Sequence, residues 1–378
     1  MKVTKLQGKN IRSFKGEVSI ELSNINVFVG ENGSGKSNLI NLIQLALQSG
    51  NGVGQNVPPF DGRFSNDSSF GCEIEFNTEE LNEVKGTEVF NRLIAEASSN
   101  SPPGVAEYMP GLKSFSSSKE LIFESSWSRQ GGMAIRQRFP AIPNLETQHK
   151  TGPVAYNVQS QMNFLNGFYN LIREQIIRKT MFITDTRELS VQFPTTISNP
   201  QNPVDVNSIM TYVSEWMLND RDIYNKLLEF LGRLLHYLSA LHVQLSGNTG
   251  ILSIEEQSLA NRIQGNDLSK GFREILVVLS ALVLARYSSL FIIEEPEVHL
   301  HPLAIKELKS LILEVAKEKK LQIIVSTHNP ILLSDLHPDD DTDVKVFEFS
   351  RGENGGNAVK EIRTDKEIST LIDKMSFR

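Results

Sequence analysis

The most specific chemistry in this chain lies in eight residues, Gly30-Glu31-Asn32-Gly33-Ser34-Gly35-Lys36-Ser37. They fit the pattern of two glycines separated by four residues and followed by Lys and Ser. Glycines let a backbone curl until several N–H groups face one phosphate. The N-terminus of a following helix adds partial positive charge. Lys36 supplies a full positive charge for the outer phosphates of a nucleotide, and the Ser37 hydroxyl suits Mg2+. Asn32, Gly33, Ser34, Gly35 and Asn38 belong to the same phosphate-facing stretch.

Three more clusters could act on what such a loop holds. Leu290-Phe291-Ile292-Ile293-Glu294-Glu295 is an apolar strand ending in two acids, the Walker B arrangement. Glu294 suits a Mg2+ ligand, and Glu295 suits the base that orients or deprotonates an attacking water. Glu294 stands where Asp is usual, and its extra methylene displaces the carboxylate. A solvated acidic pair at a strand end is the plainer alternative. His328 follows another apolar strand, Ile323 to Val325, at the end where α/β sheets bind ligands. It can donate to a γ-phosphate, although a lone His is more often structural. Leu268-Ser269-Lys270-Gly271 precedes the apolar run Ile275–Ala285, where Ser269 reads first as a helix cap.

These groups need elements to position them. Ile25 to Val29 is a short, nearly all-apolar run, as a buried parallel strand should be. After the loop, Leu39, Ile40, Leu42, Ile43, Leu45 and Ala46 recur at helical spacing. Val18, Ile20 and Leu22 alternate with polar residues, and Phe70 to Phe76 reads as a further strand. Glu79 to Ala97 is predicted as a helix. Leu121–Trp127 and Met133–Phe139 flank Gln130-Gly131-Gly132, a hairpin signal. Gln159–Lys179, Val206–Leu218 and Ile223–Leu238 are helical, with a Pro/Asn-rich loop at 194–203. Val243 and Leu245, then Ile251 to Ile254, flank Gly247-Asn248-Thr249-Gly250, a second hairpin signal. From 268 onward helix and strand alternate. The expected fold is α/β, a P-loop NTPase head with a mixed sheet and a mainly helical insertion. The head takes residues 1–89 and 261–378, and the insertion, a hairpin plus a helical lobe, takes 90–260. Heptads are not sustained, so a long coiled-coil arm is not expected, and there is no internal repeat.

Composition narrows the function classes. The 378 residues are 39% hydrophobic, enough for a full core. A net charge of -7 argues against a generally basic surface for coating nucleic acid. A single cysteine, Cys72, forbids an intramolecular disulfide and suits a reduced, cytoplasmic setting. The N-terminus starts a strand-like alternation with no signal-peptide block, and no apolar run reaches the roughly 20 residues that span a bilayer. No membrane association is expected.

The order phosphate loop, Leu-Ser-x-Gly, Walker B, His resembles that of the ABC ATPase superfamily. A closer resemblance is to the ATP-binding domains of OLD-family (overcoming lysogenisation defect) proteins, relatives of SMC heads. It rests on Asn10-Ile11-Arg12-Ser13-Phe14, Gly30 to Asn38, Glu294-Glu295-Pro296-Glu297-Val298-His299-Leu300-His301-Pro302 and Ser326-Thr327-His328-Asn329-Pro330. The resemblance covers both ends, roughly half the chain. The Glu-Glu-Pro-Glu-x-His-Leu-His-Pro form is typical of that group and accounts for Glu at position 294.

The resemblance implies an ATPase that closes as a homodimer, or higher homo-oligomer, around Mg2+ and ATP. Arg12 then lies near the nucleotide, and the segment after Walker B faces the partner. Ser269 and the N–H groups around Gly271 bind the γ-phosphate held by the opposite subunit. Lys270 and Phe272 depart from the transporter signature, which argues against a transporter ATPase. A Q-loop glutamine is not assigned; Gln55 is a candidate without support, and Arg187, in a strand-then-Arg segment similar to the family's, is given no role. His299 and His301 read as a turn rather than a metal site, because no Cys or further His stands near. The run Asp339-Asp340-Asp341-Thr342-Asp343 reads as a solvated loop, since too few residues follow for a Toprim nuclease domain. An OLD-like head without its own effector implies a separate nuclease or toxin as partner, in an anti-phage complex. A RecF- or SMC-like DNA-repair clamp is the alternative, and direct DNA binding stays open.

Overall fold

The structure, a computed structural model, describes residues 1–48, 68–100, 102–128, 134–142, 145, 147–150, 156–183, 192–194, 206–246, 249–257, 262–264, 267–337, 343–352 and 356–376. Gln55, Arg187 and residues 339–342 of the acidic run lie outside the described residues.

The chain runs through β1 (Lys2–Ile11), β2 (Phe14–Glu21), β3 (Ile25–Gly30), α1 (Lys36–Gln48), β4 (Ser69–Phe76), α2 (Thr78–Lys85), α3 (Glu88–Ser99) and α4 (Met109–Ser117). It continues through β5 (Leu121–Ser128), β6 (Ala134–Arg138), β7 (Thr147–Lys150), α5 (Tyr156–Arg178), β8 (Thr180–Ile183), β9 (Gln192–Pro194), α6 (Val206–Asn219) and α7 (Arg221–Leu234). Then come β10 (Leu238–Ser246), β11 (Thr249–Glu256), β12 (Ile263–Gln264), α8 (Lys270–Leu284), β13 (Leu290–Glu294) and α9 (Pro302–Lys319). The last elements are β14 (Gln322–Thr327), α10 (Pro330–Leu333), β15 (Val344–Arg351), β16 (Asn357–Ile362) and α11 (Asp365–Ser376).

Two compact units are woven from this chain. The first holds Met1–Ser23, Gly30–Lys179 and Phe347–Glu361, and the second holds Asn24–Val29, Thr180–Val346 and Ile362–Arg378. In the first unit β4, β1 and β2 are antiparallel neighbours, and β5, β6 and β7 extend the sheet beyond β4. Helix α1 contributes Ile40 and Ile43, both fully buried, to this unit's core. Rings of Phe90, Phe115, Phe123, Phe139, Phe168 and Tyr169 pack in mutual contact, Phe115 and Phe168 edge to face at 5.1 Å. Such pairs add about 0.5–1.5 kcal/mol each beyond burial.

The second unit is built on parallel strands in the order β3, β14, β13, β8. Their nearly all-buried sequences are what a sheet covered on both faces requires. Helix α8 is apolar nearly all round, with Leu276, Val277, Leu279 and Leu282 fully buried among residues of α7, α9 and β13. Its C-terminal carbonyls are capped by the Lys319 amino group, which donates to Leu282, Val283 and Ala285 at 2.8 to 3.0 Å. A second sheet pairs β10, β11 and β12, with β9 along β11. Asp343, the described end of the acidic run, accepts from the Asn24 amide at 2.6 Å.

The fold is α/β with a mixed sheet, as the strand and helix patterning implies. Several elements differ in detail from the sequence reading. The helix expected over Glu79–Ala97 is two helices, because the Thr87 hydroxyl caps the Phe90 N–H and also donates to the Val84 carbonyl. The helix expected to reach Leu238 stops at Leu234, and Leu238 opens strand β10. Among the described residues, no helix is long and apolar enough to cross a membrane.

Candidate functional site

The first unit contains the loop Gly30–Ser37, and its local order is strand, loop, helix, with α1 beginning at Lys36. Gly30, Gly33 and Gly35 have φ of 157°, 77° and 103°, a region that favours glycine. Space demands glycine as well. A Cβ on Gly33 would stand 2.6 Å from the Arg351 guanidinium, and one on Gly35 within 2.9 Å of Asn357, Phe14 and Ser13.

Lys36 folds back over the loop, its amino group donating to the carbonyls of Gly30 at 2.7 Å and Glu31 at 3.1 Å. Ser34 is fully buried, and its hydroxyl has no hydrogen-bond partner among the described residues. Arg12 adopts φ 50° in the β1–β2 turn and reaches the Asn38 side chain at 3.5 Å. Burial holds the Arg12 guanidinium below its ordinary value. The Asn38 amide donates to the Ser13 hydroxyl at 2.9 Å, so Arg12, Ser13 and Asn38 form one polar cluster beside the loop.

Two residues of this neighbourhood were not singled out by sequence. The Arg351 guanidinium lies 3.5 Å from the Asn32 carbonyl, and the Asn357 amide donates to the Gly33 carbonyl at 3.3 Å. They stand 319 and 324 residues away from those partners along the chain, on the hairpin of β15 and β16. A phosphate nest turns its N–H groups inward and its carbonyls outward, and this hairpin offers donors to outward carbonyls.

The acidic groups and His328 belong to the second unit. Glu294 ends β13 opposite Ser326 of β14, and the Glu295 N–H continues the ladder by donating to the Ser326 carbonyl at 2.9 Å. Glu295 then turns the chain with φ 46°, a conformation costing about 1–3 kcal/mol in a non-glycine residue. Two consecutive turns follow, Val298 N–H to the Glu295 carbonyl and Leu300 N–H to the Glu297 carbonyl. The turn ends at His301, whose ring caps α9 through the Leu303 N–H.

His328 sits just past β14, with its Nδ1 3.6 Å from carboxylate oxygens of both Glu295 and Glu297. Glu297 is buried, accepting from the Thr327 hydroxyl at 2.5 Å and the His328 N–H at 3.1 Å. Burial pushes its carboxyl above the ordinary value, opposed by those donors. Glu297 and Thr327 stand inside the sequence motifs, but their pairing across 30 residues leaves no signal in the sequence.

Ser269 caps α8 by accepting from the Phe272 N–H at 3.2 Å. Gly271 packs against the following turn, where a Cβ would stand 2.7 Å from the His299 carbonyl. His299, at φ 60°, pairs its Nδ1 with the buried Glu274 carboxylate at 3.0 Å. The Leu-Ser-x-Gly segment and the turn after Walker B are therefore joined within this unit. His299 points to Glu274 and His301 caps a helix, so the two side chains do not converge.

The two groupings are thus a phosphate-type loop with a lysine and two arginines, and a carboxylate-rich strand end with a histidine. Residues 1–333 match the family model described as an AAA ATPase domain. No curated protein matches the sequence. Among solved structures, an SMC head bound to the C-winged helix domain of ScpA is similar at TM-score 0.57 and 14% identity, covering 97% of this chain and 99% of that one. An SMC head domain with an extended coiled coil, bound to the C-terminal domain of ScpA derived from Pyrococcus furiosus, is similar at TM-score 0.51 and 14% identity, with 99% of each chain covered. At such identity the likeness is one of fold.

Proposed function

The chain belongs to the AAA ATPase domain family, and from that premise we propose that it binds and hydrolyses ATP at a composite site completed by a second copy. The observation that carries this reading is the loop Gly30–Ser37, whose glycine conformations and helix N-terminus make a cradle for phosphate. On binding, Lys36 exchanges the Gly30 and Glu31 carbonyls for phosphate oxygens. Ser37 and Glu294 offer a hydroxyl and a carboxylate, hard oxygen donors that fit Mg2+. When bound there, Mg2+ neutralises charge on the phosphates. Glu295 takes the proton of the attacking water, and His328 donates to the γ-phosphate.

Ser269 and the α8 N-terminus complete the γ-phosphate cage in the opposite subunit. Their capping role within one chain is compatible with this, because a helix N-terminus has several N–H groups and Ser269 occupies only that of Phe272. ATP would then hold two heads together and hydrolysis would release them.

The cycle serves, in this reading, as the regulatory or scaffold ATPase of an anti-phage complex that controls a separate nuclease or toxin. The OLD-type Glu-Glu-Pro-Glu-x-His-Leu-His-Pro turn supports it. A second reading, a DNA-repair clamp of RecF or SMC type, is favoured by the fold likeness to SMC heads. The experiment that tests the composite site is turnover per chain against protein concentration. Turnover per chain should fall on dilution below the dimerisation range. Constant turnover from protein shown to be monomeric would sink the composite site. Stimulation by DNA with no protein partner would favour the clamp, and co-purification with a stoichiometric effector would favour the defence role.

A further inference from the structure

A buried carboxylate is an expensive way to accept two hydrogen bonds. Taking an acid out of water is unfavourable unless both of its oxygens are satisfied. Glu297 is 4% exposed. One of its oxygens accepts from the Thr327 hydroxyl and the His328 N–H, while the other, Oε2, has no hydrogen-bond partner among the described residues. A buried side chain with one oxygen accepting twice and the other bonded to nothing among the described residues calls for an explanation beyond filling space.

Its surroundings supply one. The Thr327 hydroxyl donates to Glu297 and accepts from the Asn329 N–H at 2.9 Å, so the residues on both sides of His328 are held. The His328 backbone is held directly through its N–H. The ring is then placed with Nδ1 3.6 Å from Glu297 and 3.6 Å from Glu295. With Nδ1 turned to the acids, Nε2 is the nitrogen left for a ligand. Glu297 also lies in the turn begun by Glu295, whose carbonyl accepts from Val298. One carboxylate thus joins the segment carrying the candidate base to the segment carrying the histidine.

We propose that Glu297 is the positioning residue that sets His328 against Glu295, fixing the histidine backbone and turning its Nδ1 toward the two acids. This rests on the reading above, in which Glu295 and His328 act on ATP. It requires no contact between Glu297 and nucleotide.

The test uses the full chain with Glu297→Ala, Glu297→Gln and Thr327→Val, each measured for kcat, for ATP affinity at equilibrium, and for amide exchange at His328 and Asn329. A misplaced group near the chemistry loses roughly tenfold to a hundredfold in rate. Glu297→Ala should lower kcat by about that factor while ATP affinity stays within about twofold. Glu297→Gln, which keeps an acceptor for both donors, should recover most of the loss. Thr327→Val should fall between. Exchange at the two amides should quicken in Glu297→Ala and stay slow in Glu297→Gln. Should Glu297→Ala fail to fold, the Gln and Val variants carry the comparison. Wild-type kcat in Glu297→Ala, or in Thr327→Val with unchanged exchange, would overturn the proposal. So would a loss confined to ATP affinity. A wild-type protein that turns over no ATP would remove the ATPase reading instead, and the exchange data would still decide whether Glu297 holds His328.

Discussion

In the first unit the loop from Gly30 to Lys36 is shaped by glycine and backbone; in the second, the turn from Glu295 to His301 is shaped by side chains. Gly30, Gly33 and Gly35 take the left-handed conformations of the loop at no steric cost. The turn places Glu295 and His299 in the same region of backbone space, where a Cβ is unwelcome. That strain is met by bonds: Glu295 N–H to Ser326, Glu297 to Thr327 and His328, His299 to Glu274. The difference follows from what each region must present. In the proposed site a phosphate is met by backbone N–H groups, and a Cβ at Gly30, Gly33 or Gly35 would stand within 2.8 Å of Phe349, Arg351 or Asn357. In the proposed mechanism water activation needs a carboxylate at the start of the turn, so position 295 takes Glu even though its backbone would favour glycine.

The comparison predicts that damage in the two regions separates into turnover and affinity. Glu295→Gln should lower kcat about a thousandfold while leaving ATP binding nearly intact, as read by single-turnover hydrolysis beside equilibrium binding. Equal loss of both would erase the division. Lys36→Ala should weaken ATP binding roughly a hundredfold, the scale of a lost charge-assisted bond, read by calorimetry or a fluorescent nucleotide. Undiminished affinity in that variant would remove the loop as the phosphate site. Arg351→Ala should have the smallest effect, about a threefold to fivefold rise in KM with kcat unchanged, and Arg351→Lys should recover part of it. A fall in kcat there would mean that the hairpin of β15 and β16 acts on the chemistry rather than on the loop.

The parts legible in advance are those whose causes lie close together in the chain. Strand, loop and helix around Gly30–Ser37 are contiguous, and the positive φ of Gly30, Gly33 and Gly35 is a local backbone requirement. Parallel strands β13 and β14 show as unbroken apolar runs because both faces are covered. The hairpin of β10 and β11 follows from the Gly-Asn-Thr-Gly stretch between two apolar segments. The break between α2 and α3 was not legible, because Thr87 looks like any polar residue on a helix until its hydroxyl is seen capping the next turn. His301 likewise read as part of a turn, and its helix-capping bond appears only with α9 in place.

By itself the sequence determined the chemistry on offer: a phosphate loop with Lys36 and Ser37, acids at 294 and 295, a histidine at 328, and an α/β order of elements around them. These rest on residue type and on spacings of a few residues, which local backbone preference converts directly into structure. Only the tertiary structure decided which distant groups support them. Arg351 and Asn357 reach the loop carbonyls, and Glu297 reaches across 30 residues to Thr327. Such contacts depend on strand order and register, which bring remote positions within hydrogen-bond distance and leave no periodic mark on the chain.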